Sequence, residues 1–192
     1  ASVEQIAAQE SYSLAIGPFG SNLKVSDYRD EGVPLVFVRN IRSTSFGDDG
    51  TKYVSHEKAQ ELDAHSVASG DILITKMGDP PGDACLYPTG QPKAIITADC
   101  IKVRLHQFLD SPMYFVYCIN SRIVRSQVIA ITKGVAQQKV SLGRFSEVAV
   151  PVPPLEEQEE IVALIGEETS QSDVSEITID HSLLRATRLR QS

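Results

Sequence analysis

The sequence predicts a mixed α/β (α+β) domain with a mixed, twisted sheet, followed by a C-terminal helical segment. Short apolar runs bounded by turn-forming residues are typical of buried strands. These runs cover residues 33–38, 72–75, 94–97 and 100–105. Between Pro112 and Ile131 the apolar positions are spaced as on a helix. Strands and helices interleave without a strict βαβ repeat, which favours the mixed class.

The other elements of the body follow from capping and turn residues. Ser55 precedes a run of helix formers that reaches Leu62, which predicts a short capped helix. Residues 3–14 fit either a short strand or a short helix. Gly47-Asp48-Asp49-Gly50 predicts a loop over residues 43–50, and a strand-like run at 145–150 closes the body.

A proline-rich junction separates this body from a second segment. Pro153 and Pro154 fix φ and disfavour helix before them. Glu156, Glu157 and Glu159 then suit the positive end of a following helix. We therefore expect a domain over residues 1–152 and a helical spacer or dimerisation segment over residues 153–192.

The segment after the junction has two apolar patches separated by a polar stretch at residues 166–172. Two helices, or one long helix with a hydrophilic middle, both fit this pattern. So much apolar surface predicts packing against the body or against a partner helix. The residues expected at that contact are Ile161, Leu164, Ile165, Val174, Ile177, Leu183, Leu184 and Leu189.

The net charge of −7 is unevenly distributed. Residues 151–192 hold 3 Lys and Arg against 9 Asp and Glu, whereas residues 1–150 hold 15 against 16. Within residues 102–146 there are seven basic residues and one acid, Asp110. The second half of the body is therefore basic enough to meet phosphates.

The three cysteines are widely spaced, lack a CxxC pair and are odd in number. We expect small buried side chains in a reducing cytoplasm and no metal site. No apolar run approaches the length of a membrane span, and no signal peptide is evident. From Ala1 in place of Met we expect a trimmed or recombinant N-terminus. From the end at Ser192 without a helix-stopping glycine we expect a truncation inside a longer protein.

Asp79-Pro80-Pro81-Gly82 is similar to the motif with which adenine amino-methyltransferases hold a flipped base. Those enzymes need an aromatic residue where Gly82 stands, and no glycine-rich loop for a methyl donor is evident. The acid pairs Asp79 with Asp83, and Asp48 with Asp49, lack further residues at metal-ligand spacing. We expect a tight turn, no catalysis and no cofactor.

Several polar loops carry the chemistry of nucleic-acid binding. Glycines at 17 and 20 would let backbone N–H groups converge on a phosphate, with added donors nearby; the plainer alternative is a turn that packs Phe19 into the core. Glutamine can bind adenine bidentately, and Arg or Lys can bind guanine. The candidate DNA-binding residues are Ser21, Asn22, Lys24, Arg39, Asn40, Lys76, Lys133, Gln137, Gln138, Lys139 and Arg144.

Taken in order, several blocks resemble the DNA specificity subunits of type I restriction-modification systems. The blocks are Gly-Pro-Phe-Gly-Ser at 17–21, 32–41, 69–76, Gly82-Asp83-Ala84, Ser141-Leu142 and Pro153-Pro154-Leu155-Glu156-Glu157-Gln158. The resemblance implies a non-catalytic target-recognition domain that reads one half of a bipartite DNA target. It also implies a spacer helix on which methyltransferase and restriction subunits dock, with S-adenosylmethionine bound by the methyltransferase.

With one domain and one helical segment, the chain is expected to be a half-subunit or a fragment of such a subunit. Two copies joined through their tails would read a palindrome of half-sites. Other classes remain open: the recognition domain of a fused restriction-methylation enzyme, a methyltransferase fragment, or an interaction module that ignores DNA.

Overall fold

A computed structural model of the chain describes residues 1–48, 50–109, 111–133 and 138–169. The chain divides into two compact units, Ala1–Val152 and Pro153–Ser192. Among the described residues no helix is both long and apolar enough to span a membrane.

Strands of the first unit form two four-stranded sheets and a hairpin. In chain order they are β1 (Leu14–Ile16), β2 (Val33–Val36), β3 (Ile41–Arg42), β4 (Ser45–Phe46), β5 (Lys52–Val54), β6 (Ser66–Val67), β7 (Ile72–Thr75), β8 (Ala84–Leu86), β9 (Ala94–Ile96) and β10 (Cys100–Val103). One sheet, ordered β1-β10-β7-β8, is antiparallel. The other, ordered β5-β2-β9-β6, is mixed because β2 and β9 run parallel. The hairpin joins β3 to β4.

The mixed α/β class is confirmed, and all four predicted internal strands are present. The loop expected at 43–50 contains β4, which pairs with β3. The strand expected at 145–150 is wrong, because Ser141 precedes a short helix that ends at Phe145. Between that helix and the proline pair, Ala149 forms an isolated bridge with Ser2.

One buried cluster of the core joins the two sheets. Leu73 and Cys100 come from the antiparallel sheet, and Val36 and Ile96 from the mixed one; each is at most 1% exposed. Full burial of an aliphatic side chain contributes about 1.5–3 kcal/mol. This buried cluster holds the two sheets against each other, so the ends of their strands keep fixed positions.

The helices of the first unit are α1 (Val3–Ile6), α2 (His56–Glu61), α3 (Pro112–Asn120), α4 (Arg122–Ile131) and α5 (Leu142–Phe145). Residues 3–14 thus form α1 and the approach to β1. Ser55 caps α2 as predicted, since its hydroxyl accepts a hydrogen bond from Lys58 N–H. The continuous helix expected over 112–131 is divided at Ser121, which caps α4.

Asn120, the last residue of α3, fastens this helix to the edge strand β8. Its side-chain oxygen accepts from Ala84 N–H at 3.1 Å, and its amide nitrogen donates to Ala84 C=O at 2.8 Å. A covered edge strand cannot pair with another chain.

The second unit begins with the proline pair and continues as a helix, α6, over residues 155–169. Gln158 donates through Nε2 to the carbonyl oxygen of Pro153 at 2.8 Å. Gly166 lies inside α6, so the first part of the predicted polar stretch is helical. The other expected contact residues, Val174, Ile177, Leu183, Leu184 and Leu189, lie outside the described residues.

Candidate nucleic-acid interface

Four strands of the first unit end at the same edge of the fold. The turn Thr97-Ala98-Asp99 connects β9 to β10. Strands β1 and β7 are antiparallel to β10, so their carboxyl ends lie beside this turn. Strand β2 is parallel to β9, so its carboxyl end lies there as well. Polar loops follow all four ends.

Backbone hydrogen bonds hold these loops together. Gly17 N–H donates to Cys100 C=O at 3.2 Å, and Lys76 N–H donates to Asp99 C=O at 2.8 Å. Val140 N–H donates to Lys76 C=O at 3.0 Å. We call this surface the loop edge: segments 17–24, 37–40, 76–82 and 97–99, with Lys133, Gln138 and Lys139.

Lys133 and Lys139 pair with each other in an antiparallel β-bridge on the loop edge. Each donates its N–H to the other's carbonyl oxygen, at 3.0 and 2.9 Å. Lys139 also bridges to Met77, and Gly78 N–H donates to Gln138 C=O at 3.3 Å. The residues predicted from separate parts of the sequence, Lys76, Lys133, Gln138 and Lys139, therefore lie side by side. Gln137 lies outside the described residues.

The cations of the loop edge differ in how they are partnered. Lys139 forms an ion pair with Asp99 at 3.2 Å, and the Lys76 ammonium donates to Ala98 C=O at 3.2 Å. Lys24 and Lys133 are exposed, and their ammonium groups bind no group within the described ranges. Exposed, weakly partnered ammonium groups are suited to phosphate contacts because little must be broken first.

Arg39 and Asn40 follow β2 and have different environments. The Arg39 guanidinium lies 4.1 Å from the centre of the Phe37 ring and donates to Gly50 C=O, while the residue remains exposed. Asn40 is 2% exposed; its oxygen accepts from Phe37 N–H and its amide donates to Gly47 C=O, both at 2.8 Å. Asn40 therefore organises its loop and is not available to read a base.

Arg144, like Asn40, is a candidate DNA-binding residue whose side chain binds its own fold. Its guanidinium donates to Ile131 C=O at 3.2 Å, at the C-terminal end of α4. A cation there satisfies a carbonyl that the helix leaves unpaired and suits the negative end of the helix dipole. Sequence spacing could not distinguish this role from DNA binding.

The loop over 17–24 does not pack Phe19 into the core, as the plainer alternative required. Phe19 is 72% exposed, whereas Leu23 is 8% exposed and anchors the loop. Ser21 and Asn22 are exposed, with the Ser21 hydroxyl donating to the Asn22 side-chain oxygen at 3.2 Å. A Cβ atom at Gly17 would overlap the carbonyl group of Thr97, so glycine is required at this close approach.

The Asp79-Pro80-Pro81-Gly82 segment is a tight turn. Gly82 has φ +105°, and a Cβ atom there would lie 3.0 Å from Val128 Cγ1, so an aromatic side chain has no room. The Thr75 hydroxyl accepts from the N–H groups of Gly82 and Asp83, each at 2.9 Å. Asp83 also pairs with Arg125 at 2.6 Å. These contacts account for the shape of this turn by its own hydrogen bonds and ion pair.

The three cysteines offer no exposed thiol. Cys85, Cys100 and Cys118 are free and buried, and burial raises the pKa of the Cys85 and Cys100 thiols to about 12 and that of Cys118 to about 11. In the part of the chain that the structure describes, no group of three His, Cys, Asp or Glu side chains is arranged to hold a metal ion.

Sequence reasoning missed Asp99 and Thr97, which lie at the centre of the loop edge. Thr97 donates through its N–H and its hydroxyl to Val36 C=O, both at 2.9 Å, and so joins the ends of β9 and β2. Their positions in the sequence could have predicted them, because both residues follow the apolar run 94–96, as Lys76 follows the run 72–75. The same position after an apolar run is shared by Arg39, Asn40 and Lys76, which are among the candidate DNA-binding residues.

Comparison with known protein families assigns the chain to one class. A model described as the type I restriction modification DNA specificity domain matches residues 37–176. The chain therefore belongs to that family.

Individual relatives agree with this assignment. The chain is 22% identical over 174 residues to the type I restriction enzyme EcoKI specificity subunit of Escherichia coli (strain K12), which covers 84% of this chain and 35% of that subunit. The crystal structure of the HsdS subunit from Thermoanaerobacter tengcongensis superposes with a TM-score of 0.64 at 17% identity, over 91% of this chain and 38% of that one. A type IIG restriction endonuclease, BpuSI, gives 0.56 at 10% identity, over 87% and 26%. The chain thus spans little more than a third of the specificity subunits that it matches.

Proposed function

We propose that the first unit is a non-catalytic reader of double-stranded DNA, and that it recognises one half of a bipartite target through the loop edge. The single observation that carries the proposal is the convergence of four strand ends. It brings Lys24, Lys76, Lys133 and Lys139 to one surface beside Gln138. Cations beside amides are the side chains that DNA backbones and base edges require.

Two kinds of contact are proposed: contacts to phosphates and contacts to base edges. Lys24 and Lys133, which lack an ion pair within the described ranges, would bind phosphates and fix the register of the domain on the duplex. Gln138 and Lys139, with Gln137 beyond the described residues, would read base edges in the major groove. Ser21, Asn22 and Lys76 add donors from neighbouring loops, and Arg39 adds a cation.

The second unit would serve assembly. The exposed Leu164 lies on the same face of α6 as Ile161 and Ile165, at helical spacing. An apolar stripe of this kind suits a partner helix. We propose that it is the spacer on which the methyltransferase and restriction subunits dock, with S-adenosylmethionine bound by the methyltransferase. Pairing of two copies through this segment would yield a two-fold symmetric reader in the cytoplasm.

The test is a binding selection from a randomised duplex library, using the full chain co-purified with its methyltransferase subunit. Enrichment of a short motif at fixed spacing is expected. Two identical half-sites would indicate pairing of two copies, whereas two different half-sites would indicate a larger subunit of which this chain is one half. A stable protein complex that enriches no motif would refute DNA reading and leave an interaction module.

A substitution series then tests which residues read bases. Replacing Gln137, Gln138 and Lys139 together by alanine should remove the preference at the bases they contact, at about 1–3 kcal/mol per lost bidentate contact, while non-specific binding persists. Arg144→Ala is a matched control for a lost cation outside the readout. An unchanged motif in the triple variant would exclude this loop from recognition.

The recognition domain of a fused restriction-methylation enzyme is a second candidate, and the likeness in fold to a type IIG restriction endonuclease favours it. The chemistry of the loop edge would be the same. If the selection succeeds with the chain alone and addition of a separate methyltransferase subunit changes nothing, this candidate is preferred.

A further inference from the structure

We infer that Phe19 is a wedge that enters the base stack of the bound duplex. This inference rests on the proposed function, because it requires the loop edge to face DNA. It adds a residue that the readout described above does not use, and it assigns that residue a ligand of defined chemistry, the exposed face of a nucleobase.

The starting point is where Phe19 is held. A single exposed apolar side chain is ordinary on a protein surface. Phe19, however, is 72% exposed on the loop edge itself, in the segment that directly follows β1. An aromatic ring directed to solvent at the surface proposed to meet DNA differs from one on an unrelated face.

The loop holds the ring outward by four anchors. Gly17 lies against the Thr97 carbonyl group, where any side chain would overlap. Asn22 N–H donates to Phe19 C=O at 2.8 Å, and Leu23 is buried. Pro18 fixes φ immediately before Phe19. A ring that is already positioned loses little conformational entropy on insertion, which favours binding.

The surroundings of the ring select a nucleic acid over an apolar protein surface. Ser21, Asn22 and Lys24 supply hydroxyl, amide and ammonium groups, and residues 17–26 contain no acid. Val25, 79% exposed, is the other apolar side chain displayed by this segment. Two apolar side chains separated by donors and a cation make a poor hydrophobic patch. They match an apolar wedge flanked by phosphate contacts, the arrangement with which proteins unstack base steps.

The matched control is a second phenylalanine of equal exposure. Phe108 is 76% exposed and follows β10, which runs antiparallel to β1 and β7, so it lies at the opposite edge of the antiparallel sheet. Its ring is 5.0 Å from that of His106. Phe108→Ala therefore removes the same side chain without touching the loop edge.

The experiment uses the full chain with its methyltransferase subunit and the duplex enriched in the selection, with 2-aminopurine placed at successive positions. Binding of the unmodified chain should raise the fluorescence at one base step, because unstacking relieves quenching. Phe19→Ala should abolish that rise and weaken binding roughly 5- to 150-fold, the effect of losing one aromatic–base contact. Phe19→Trp should restore both, and Phe108→Ala should change neither.

The outcomes separate the inference from the proposed function. If the unmodified chain binds no duplex, both are refuted. If it binds and Phe19→Ala retains its affinity and fluorescence rise, the inference alone is wrong. If Phe19→Ala instead loses the methyltransferase subunit while binding DNA normally, Phe19 is a protein contact and the wedge is excluded. Because the ring is exposed, thermal unfolding of Phe19→Ala should match that of the unmodified chain.

Discussion

Where β10 ends, Arg104 and Asp71 bind each other in a bidentate pair, whereas at the loop edge the ammonium groups of Lys24 and Lys133 are without a partner in the described ranges. Both distances in the Arg104–Asp71 pair are 2.8 Å, and the Asp71 side chain is 4% exposed. Asp71 also accepts from Ala68 N–H at 2.9 Å. The hydrogen bonds between Arg104 and Asp71 raise the pKa of Arg104 above its ordinary value.

The difference shows how one small domain uses charge in two ways. A buried carboxylate must keep its partner, because an unpaired charge away from water is strongly destabilising. An exposed lysine contributes little to stability and can be given to a ligand. The charged pair at the end of β10 therefore stabilises the fold, whereas the exposed lysines of the loop edge can bind a ligand. Four predictions test this contrast, in order of decreasing effect.

Arg104→Ala should have the largest effect, on stability. It leaves the Asp71 carboxylate buried with only a backbone donor, so we expect the free energy of unfolding to fall by about 2–3 kcal/mol. Chemical denaturation measures this loss. Lys133→Ala, the matched removal of a loop-edge cation, should change stability by less than about 0.5 kcal/mol. Equal losses in the two variants would refute the contrast.

Gly17→Ala should affect the loop edge through its backbone. The added methyl group overlaps the Thr97 carbonyl group, so the loop must move, at about 1–3 kcal/mol of stability. Gly20→Ala adds the same atom where no other atom lies within 4 Å and should be nearly neutral. Thermal unfolding and DNA affinity of the two variants check this. If Gly17→Ala unfolds and binds DNA like Gly20→Ala, the loop is not anchored as described.

Lys133→Ala should reduce the dependence of DNA binding on salt. Loss of one phosphate contact lowers the slope of log affinity against log salt by about 1. Lys93→Ala removes the same charge from the residue before β9, at the other end of that strand, where Lys93 pairs with Asp63. Titrations at several salt concentrations should show the change for Lys133→Ala alone. An identical decrease for Lys93→Ala would mean that net charge, not position, governs binding.

Asp99→Asn should give the smallest effect and the opposite sign. It removes the acid that pairs with Lys139 and makes that ammonium group available to the duplex. We expect DNA binding a few-fold tighter, measured by the same titrations at low salt. Asp63→Asn, which breaks the Lys93 pair instead, should leave the affinity unchanged. Weaker binding by Asp99→Asn would show that Asp99 positions Lys139 for its contact.

Local chemistry predicted the elements whose causes are local. The Ser55 cap and the apolar run Ile72–Thr75 needed no knowledge of distant residues. Ser121 was missed as a break because apolar spacing continues on both sides of it, and only its hydroxyl hydrogen bond to Val124 N–H reveals the cap. The three-residue β8 was missed because Ala84-Cys85-Leu86 is too short to show alternation.

The sequence predicted which residue types the candidate site contains, but not that they lie together in the fold. Nine of the candidate DNA-binding residues lie on the loop edge, and they were named because their side chains can bind phosphates or base edges. Their convergence depends on pairings between residues far apart in the chain, parallel for Val36 with Ile96 and antiparallel for Thr75 with Cys100. Asn40 and Arg144 were named as DNA-binding residues, and each donates to a backbone carbonyl group of its own fold. Whether a polar side chain binds its own fold or a ligand depends on which carbonyl groups the tertiary structure brings near it.

The strand pairs are complete before the loop edge begins, since Ile16 is already paired with Ile101 and Val36 with Ile96. The cations of the proposed contacts, Lys24, Lys133 and Lys139, are exposed and contribute little to the core. New loops could therefore be grafted onto the same strands without changing their registers, provided that Gly17 and Leu23 are kept as anchors. One scaffold would then be retargeted to many different sequences by exchanging a few short segments.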